Sequence, residues 1–328
     1  MTEDALIAQL RARLAGVPDA RLVLGIGDDA AAWQPSRSNR SVITTDALVE
    51  GVHFRRAAMP AAAIGHRALA ANLSDLAAMG ARPVLATIAA GLPPEVGPDW
   101  LPACYDGVAA LAARTGCAIA GGDITRGPVA FLAIAAVGEV RASNLKTRAG
   151  GRAGDVLAVT GPLGASRAGL CLTLERPELG GTDPRFEAAL RAFLRPEPRL
   201  REGRWLGASR HVHAMIDTSD GLSTDLARLC AAAGVGAQLE TIPVHPAAAA
   251  VAAEAGADAE AWARDGGEDF ELLAAIDRRA FDHLATRFLA HTGRPLLRVG
   301  TLVAGSGVRD RDGAAVTPAG WDHLSGFA

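Results

Sequence analysis

A mixed α/β protein of two domains is the fold class this sequence predicts, and three observations carry that expectation. The chain has 328 residues, more than a single hydrophobic core usually holds. Short β-branched apolar runs alternate with longer stretches of helical spacing. Around residues 141–154 the composition turns to Arg, Lys, Gly and Ser, which marks a boundary. An N-terminal sheet domain is therefore expected over 1–140 and a larger C-terminal α/β domain over 150–328. Hydrophobic residues make up 49% of the chain and aromatics only 4%, so the cores should be built from small aliphatics and Ala-rich helices.

Residues 5–15 read as a short amphipathic helix. Val42–Thr45 is a β-branched run ending at Asp46. From Ala61 to Met79 apolar residues recur at helical spacing (Ile64, Leu69, Leu73, Leu76), which puts Asn72 and Asp75 on one helix face. Val84–Ala90 and Val129–Val140 read as strands. Between them lie a helix near 99–115 and a short strand at 117–120, with Gly121-Gly122-Asp123 directly after it. The second half reads as strand 155–160, helices near 164–175 and 185–194, strand 214–217, helix 221–233, strand 269–276, helix 278–290 and strand 297–303. Arg195-Pro196-Glu197-Pro198-Arg199 is a loop, since its prolines do not fit a helix interior.

Bulk properties exclude several roles. The net charge of −3 comes without a basic tract, which argues against nucleic acid as main partner. Cys104, Cys117, Cys171 and Cys230 lie far apart with no CxxC, as expected of free thiols in a reducing cytoplasm. Met1-Thr2-Glu3-Asp4 is acidic where a signal peptide would be basic, and no apolar run approaches membrane-span length. A soluble cytoplasmic protein is expected.

The chemistry concentrates in five acidic segments: Gly27-Asp28-Asp29, Thr44-Thr45-Asp46, Asn72-Leu73-Ser74-Asp75, Gly121-Gly122-Asp123 and Asp217-Thr218-Ser219-Asp220. Each reads as the end of a buried element opening onto a site. Clustered carboxylates need a strong positive partner, because desolvation and repulsion both oppose them. Without neighbouring His or Cys clusters, that partner is a hard cation such as Mg²⁺, which brings phosphates with it. Gly161-Pro162-Leu163-Gly164-Ala165-Ser166 lacks the lysine of a P-loop, and two aspartates after Gly25-Ile26-Gly27 would repel a pyrophosphate. Phosphates must then be held through metals. Singly, each segment also has a plainer explanation. Asp28-Asp29 could be a solvated turn, Asp46 or one of Asp217 and Asp220 a helix cap, and the Gly pair before Asp123 a tight turn.

Taken together and in order, the segments resemble the thiamine-monophosphate kinase family, within the aminoimidazole ribonucleotide synthetase superfamily. The resemblance runs through GDDAA at 27–31, TTDALVEGVHF at 44–54, NLSDLAAMGARP at 72–83, GGDITRG at 121–127, TRAGGRAGD at 147–155, VTGPLG at 159–164, RPEPR at 195–199, IDTSDGLSTDL at 216–226, GGEDFEL at 266–272 and GWDH at 320–323. It implies Asp29, Thr44, Thr45, Asp46, Asp75, Asp217 and Asp220 as magnesium ligands, and Asp123 as a ligand on the nucleotide side. It further implies Tyr105, Gly122, Arg148 and Ser219 as ATP contacts, and His53, Glu268 and Trp321 as substrate contacts. Phe270 stands where the family often has Tyr, and Leu324 where Phe is usual. By spacing alone His53 reads as a core histidine, Trp321 as an anchor for the tail, and His211 and His213 as structural. The implied reaction is ATP plus thiamine monophosphate giving thiamine diphosphate and ADP, by direct in-line transfer with several Mg²⁺ ions and no general base. A homodimer through N-terminal sheets, with ATP and metals between the domains, is implied too. The alternatives are an ATP-dependent synthetase that releases phosphate and a non-catalytic binding protein.

Overall fold

The β-branched run at Val42–Thr45 extends in both directions: in a computed structural model of the chain it is the middle of an 11-residue strand, and Asp46 lies within that strand rather than at its end. The structure describes residues 3–14, 21–26, 30–180 and 183–321. It divides into two units, Met1–Leu76 with Ala81–Ala142, and Ala77–Gly80 with Ser143–Ala328. The mixed α/β class expected from the sequence is the one the chain adopts.

The first unit runs α1 (Glu3–Arg13), β1 (Leu22–Leu24), β2 (Ala32–Trp33), β3 (Asn39–Val49), α2 (Ala61–Ala78), β4 (Arg82–Leu92), α3 (Trp100–Thr115), β5 (Ala118–Arg126) and β6 (Phe131–Arg141). Four strands form one sheet in the order β3-β6-β4-β5, with only β4 and β5 parallel. Alternation along β3 and β6 turns Leu48, Leu132, Ile134, Ala136 and Val140 inward, all buried. The other face carries Ile43, 73% exposed, beside exposed Thr45 and Ala47. Helices α2 and α3 cross at two glycines: a Cβ on Gly65 would lie 1.9 Å from the Cys104 carbonyl oxygen, and one on Gly107 1.8 Å from that of Ala62. No other residue permits that approach.

The second unit adds β7 (Val156–Val159), α4 (Ala165–Leu170), α5 (Glu187–Leu194), α6 (Leu200–Gly207), β8 (Val212–Asp217), α7 (Leu222–Ala233), β9 (Gly236–Leu239), α8 (Pro246–Ala255), α9 (Ala259–Asp265), β10 (Leu272–Ile276), α10 (Phe281–Thr292), β11 (Leu297–Val303) and β12 (Val308–Arg309). Its sheet has the order β12-β9-β11-β7-β10-β8, antiparallel except for β12 on β9. Both faces are covered, one by Leu222, Leu226 and Leu229 of α7, the other by Leu206 of α6 and Leu284 and Phe288 of α10. The central strands β7 and β10 are accordingly buried at every residue, and they read as unbroken apolar runs.

Several expected boundaries move. Gly121-Gly122-Asp123 lies inside β5, which extends to Arg126, so no turn stands there. The strand expected from 269 begins at Leu272, because residues 266–271 are held in a turn. The helix expected near 164–175 is the short α4 continued by a π-helical turn, Cys171–Glu175. Elements α6, β9, α8 and α9 were not expected; α8 is Ala-rich over most of its length and carries no contrast between its faces to betray it.

Candidate active site

In the first unit two chain-distant carboxylates approach one surface. The Thr44 hydroxyl donates to Asp75 Oδ2, so the face of β3 bearing Thr44 is the one turned to α2. Asp46, two residues on, shares that face. Both aspartates are half-buried. Asp75 sits three residues after Asn72, which is fully buried: its Nδ2 donates to the Ala68 carbonyl at 3.0 Å, and its Oδ1 has no hydrogen-bond partner. Thr45 lies on the opposite face of β3, exposed, with its hydroxyl donated to the Ile134 carbonyl at 3.0 Å.

Asp123 stands apart from this pair. Register runs Asp46 to Ile134 to Ile88 to Gly122, so Asp46 and the Gly122-Asp123 step occupy opposite edges of the sheet. Three strand spacings amount to about 14 Å. No single ion is held directly by both Asp46 and Asp123. Gly122 has a local reason to be glycine, since a Cβ there would meet the Ile88 carbonyl oxygen at 1.9 Å. Tyr105 is buried on α3, and burial, then the neighbouring Cys104, push its phenol up to about 12. His53 is half-buried in the turn after β3, and its Nδ1 accepts the Val49 N–H at 3.1 Å. The imidazole hydrogen therefore sits on Nε2. Asp29 lies outside the described residues, as does Leu324.

The second unit gathers five of its six expected residues around the β8–α7 junction. Asp217, 2% exposed, ends β8, and Ser219 and Asp220 follow in the loop. Residues 266–271 lie along that loop: Glu268 N–H donates to Ser219 O at 2.8 Å, Phe270 N–H to Thr218 O at 3.0 Å, and Thr218 N–H back to Glu271 O at 2.8 Å. The C-terminal segment closes on the same loop, with Trp321 N–H donating to Asp220 O at 3.1 Å and Gly320 N–H to Thr224 Oγ1 at 3.1 Å. A Cβ on Gly320 would lie 1.7 Å from Asp220 O, which fixes glycine before the half-exposed Trp321. Arg148 is exposed and opens a 3-10 turn against the outer edge of β8, where Thr147 O accepts from Met215 N–H at 3.3 Å.

Some polar residues that hold this junction were not singled out in the sequence. Asp225, fully buried, accepts the Asp220 N–H at 3.0 Å and an Arg228 N–H at 2.9 Å. Desolvation pushes its carboxyl up to about 6 despite those donors. Glu271 is buried too, and desolvation would raise its carboxyl. Arg199, at 2.6 and 2.9 Å, outweighs that together with Arg294 and the Thr160 hydroxyl, and holds it below its ordinary value. Arg199 ends the RPEPR loop, so that motif contributes an anchor for the GGEDFEL turn. Asp155, beneath the Arg148 turn, accepts from His213 Nδ1 at 2.9 Å, a structural pairing. The spacing of Asp225 and Arg228, three apart on one helix, was a usable signal; the Arg199–Glu271 pair, 72 residues apart, left none.

Glu268 (φ 63°) and Phe270 (φ 49°) are the non-glycine residues with left-handed backbone among the described residues. Such a conformation costs on the order of 1–2 kcal/mol per residue. Between them Asp269 accepts the Gly164 N–H on Oδ2 at 2.6 Å and the Ser166 N–H on Oδ1 at 3.0 Å. Burial pushes the Asp269 carboxyl up to about 7, against the pull of those two amides.

Residues 27–140 match the model of the AIR synthase related protein N-terminal domain, and residues 152–308 that of its C-terminal domain. Thiamine-monophosphate kinase of Rhodopirellula baltica is 36% identical over 336 residues, covering 98% of this chain and 97% of the relative. The chain belongs to the thiamine-monophosphate kinase family. Members of this family are phosphotransferases. The crystal structure of the thiamine-monophosphate kinase of Stenotrophomonas maltophilia superposes with a TM-score of 0.84 at 37% identity, covering 96% of this chain and 98% of that one. AaThiL complexed with AMPPCP and TMP superposes with a TM-score of 0.79 at 29% identity, covering 98% and 95%. Among the described residues no helix is long and apolar enough to cross a membrane.

Proposed function

We propose that this protein transfers the γ-phosphoryl group of ATP directly to thiamine monophosphate, giving thiamine diphosphate and ADP in the cytoplasm. The observation that carries the reading is the match, over nearly the whole chain, to thiamine-monophosphate kinases. A structural relative complexed with AMPPCP and TMP supports the same pair of substrates. In the transfer an oxygen of the thiamine phosphate forms the new bond to the γ-phosphorus, while the bond from that phosphorus to the β–γ bridging oxygen breaks and that oxygen leaves with the electron pair as part of ADP. The attacking phosphate has a second pKa of about 6, so near neutral pH it is largely dianionic and needs no base. His53 fits this account: with Nδ1 accepting from Val49, its Nε2–H donates rather than removes protons.

Magnesium suits the donors present. They are hydroxyls and carboxylates, and among the described residues no three His, Cys, Asp or Glu side chains form a ready cage. Mg²⁺ characteristically uses one or two carboxylates and completes its shell with water and substrate phosphates. Asp46, Asp75 and Thr44, with Asp29, would hold magnesium on the first unit. Asp123 would hold a separate ion on the nucleotide side, and Asp217 and Asp220 would hold magnesium on the second unit. The Thr45 hydroxyl, on the opposite face of β3 and given to the Ile134 carbonyl, does not join the first set. When bound, magnesium neutralises phosphate charge and aligns the reacting oxygens. Tyr105, Gly122, Arg148 and Ser219 are assigned to ATP, and His53, Glu268 and Trp321 to thiamine monophosphate. An anion suits the cationic thiazolium, a flat indole stacks on its ring, and a guanidinium suits phosphate.

The test is an assay for ADP with Mg²⁺ and ATP, with thiamine monophosphate present or omitted, and free phosphate counted separately. ADP should form only with thiamine monophosphate, in step with thiamine diphosphate and without free phosphate; unphosphorylated thiamine should be inert. Stoichiometric phosphate release would point to a synthetase, and binding without turnover to a non-catalytic protein. Either result overturns the proposal.

A further inference from the structure

The turn at 266–271 is built to hold one side chain in a place the backbone resists. Two of its residues, Glu268 and Phe270, sit in left-handed backbone without being glycine, and nothing similar occurs elsewhere among the described residues. Such backbone persists where surroundings over-determine it, and it gathers at ligand sites. Here the surroundings are explicit. The N–H groups of residues 268 and 270 are tied to the carbonyls of Ser219 and Thr218, and the Phe270 ring is buried. Glu271 is clamped by Arg199 and Arg294. That leaves Asp269, midway between the two left-handed residues, whose oxygens take the Gly164 and Ser166 N–H groups at the start of α4. A carboxylate can accept two backbone N–H groups on two oxygens; an amide can accept on only one.

We propose that Asp269 is the positioning residue for the thiamine end of the site: by pinning the middle of this turn to the 164–166 segment, it fixes the strained backbone that presents Glu268 to the substrate cation. Asp269 itself touches no substrate. The inference rests on the reading of Glu268 as a thiamine contact, and the experiment separates the two.

KM for thiamine monophosphate, KM for ATP and kcat are measured in wild type, Asp269→Asn, Glu268→Ala and the double variant, with circular dichroism melts of each. Asp269→Asn keeps the side-chain shape and one acceptor, so it should fold. It should raise the KM for thiamine monophosphate about tenfold and leave that for ATP within about twofold. In the Glu268→Ala background the same change should add less than twofold, because the group it positions is gone. An unchanged KM for thiamine monophosphate in Glu268→Ala sinks the reading of Glu268. A raised value there, with Asp269→Asn either silent or acting by the same factor in both backgrounds, sinks the positioning role. Equal increases in both Michaelis constants show a purely structural residue and also overturn it. If Asp269→Asn does not fold, Asp269→Glu, which keeps two acceptor oxygens, is measured in the same two backgrounds. Shifting the same anchor by one methylene, it should raise the KM for thiamine monophosphate at least threefold in wild type only.

Discussion

Asp46 and Asp75 reach one surface of the first unit by different routes, one along a strand and one along a helix, and the Thr44 hydroxyl joins the two elements. A carboxylate on an apolar helix face is costly unless something offsets its charge, which is why Asp75 was conspicuous in the sequence. Asp46 was conspicuous for a weaker reason, as the apparent end of a β-branched run, and it proves to be mid-strand. Asp46 lies on the face of β3 turned to α2, and its half-buried carboxylate calls for the same offset as that of Asp75. If these two residues hold the metal as proposed, Asp46→Asn and Asp75→Asn should each lower kcat on the order of 10²-fold, taking roughly 3 kcal/mol for a lost ligand. Steady-state kinetics at saturating ATP with a magnesium titration would measure it. Near-wild-type kcat in both variants at ordinary magnesium would make these carboxylates structural. Residue-scale reading failed for Arg199, Arg294 and Glu271, because their mutual contact is a fact of three dimensions with no local trace.

At the scale of elements, β3 decides most. It is an 11-residue edge strand whose outer face presents Ile43, Thr45 and Ala47. A long edge with an exposed β-branched side chain invites pairing, and natural sheets usually blunt it with charge, proline or a bulge. Arg40 and Asp46 put charges at two points of β3, and the stretch between them, Ser41 to Thr45, carries no charge, proline or bulge. This supports the homodimer through N-terminal sheets, which we propose as the working form. Ile43→Asp should then yield a monomer, with the circular dichroism of the single chain preserved. Sedimentation at micromolar concentration checks it: a wild type that sediments as one chain, or a variant that remains a pair, would remove this face from consideration. Helix α2 was legible almost to its ends because its apolar spacing is regular. Helices α8 and α9 and strand β9 were not, since short alanine- and glycine-rich segments lack the contrast on which periodicity depends.

For the whole molecule, the proposed chemistry leaves no covalent intermediate and no proton carrier. His53→Asn should raise the KM for thiamine monophosphate more than it lowers kcat, and kcat/KM should rise with pH as the substrate phosphate ionises and then level off. Rapid-quench labelling with γ-labelled ATP should find no phosphoprotein. A phosphohistidine or phosphoaspartate, or ATP–ADP exchange without thiamine monophosphate, would exclude direct transfer. By itself the sequence determined the α/β class, the change of character after residue 140, the absence of a lysine-bearing phosphate loop, and the ordered acidic segments that single out one family. These properties are local or sequential: periodicity, composition and motif order survive without coordinates. Only the tertiary structure decided that Asp123 stands three strands from Asp46, that Arg199 and Arg294 clamp Glu271, and that Glu268 and Phe270 bear left-handed backbone around Asp269. Register, long-range ion pairs and strain depend on which distant segments meet, and no local pattern records that.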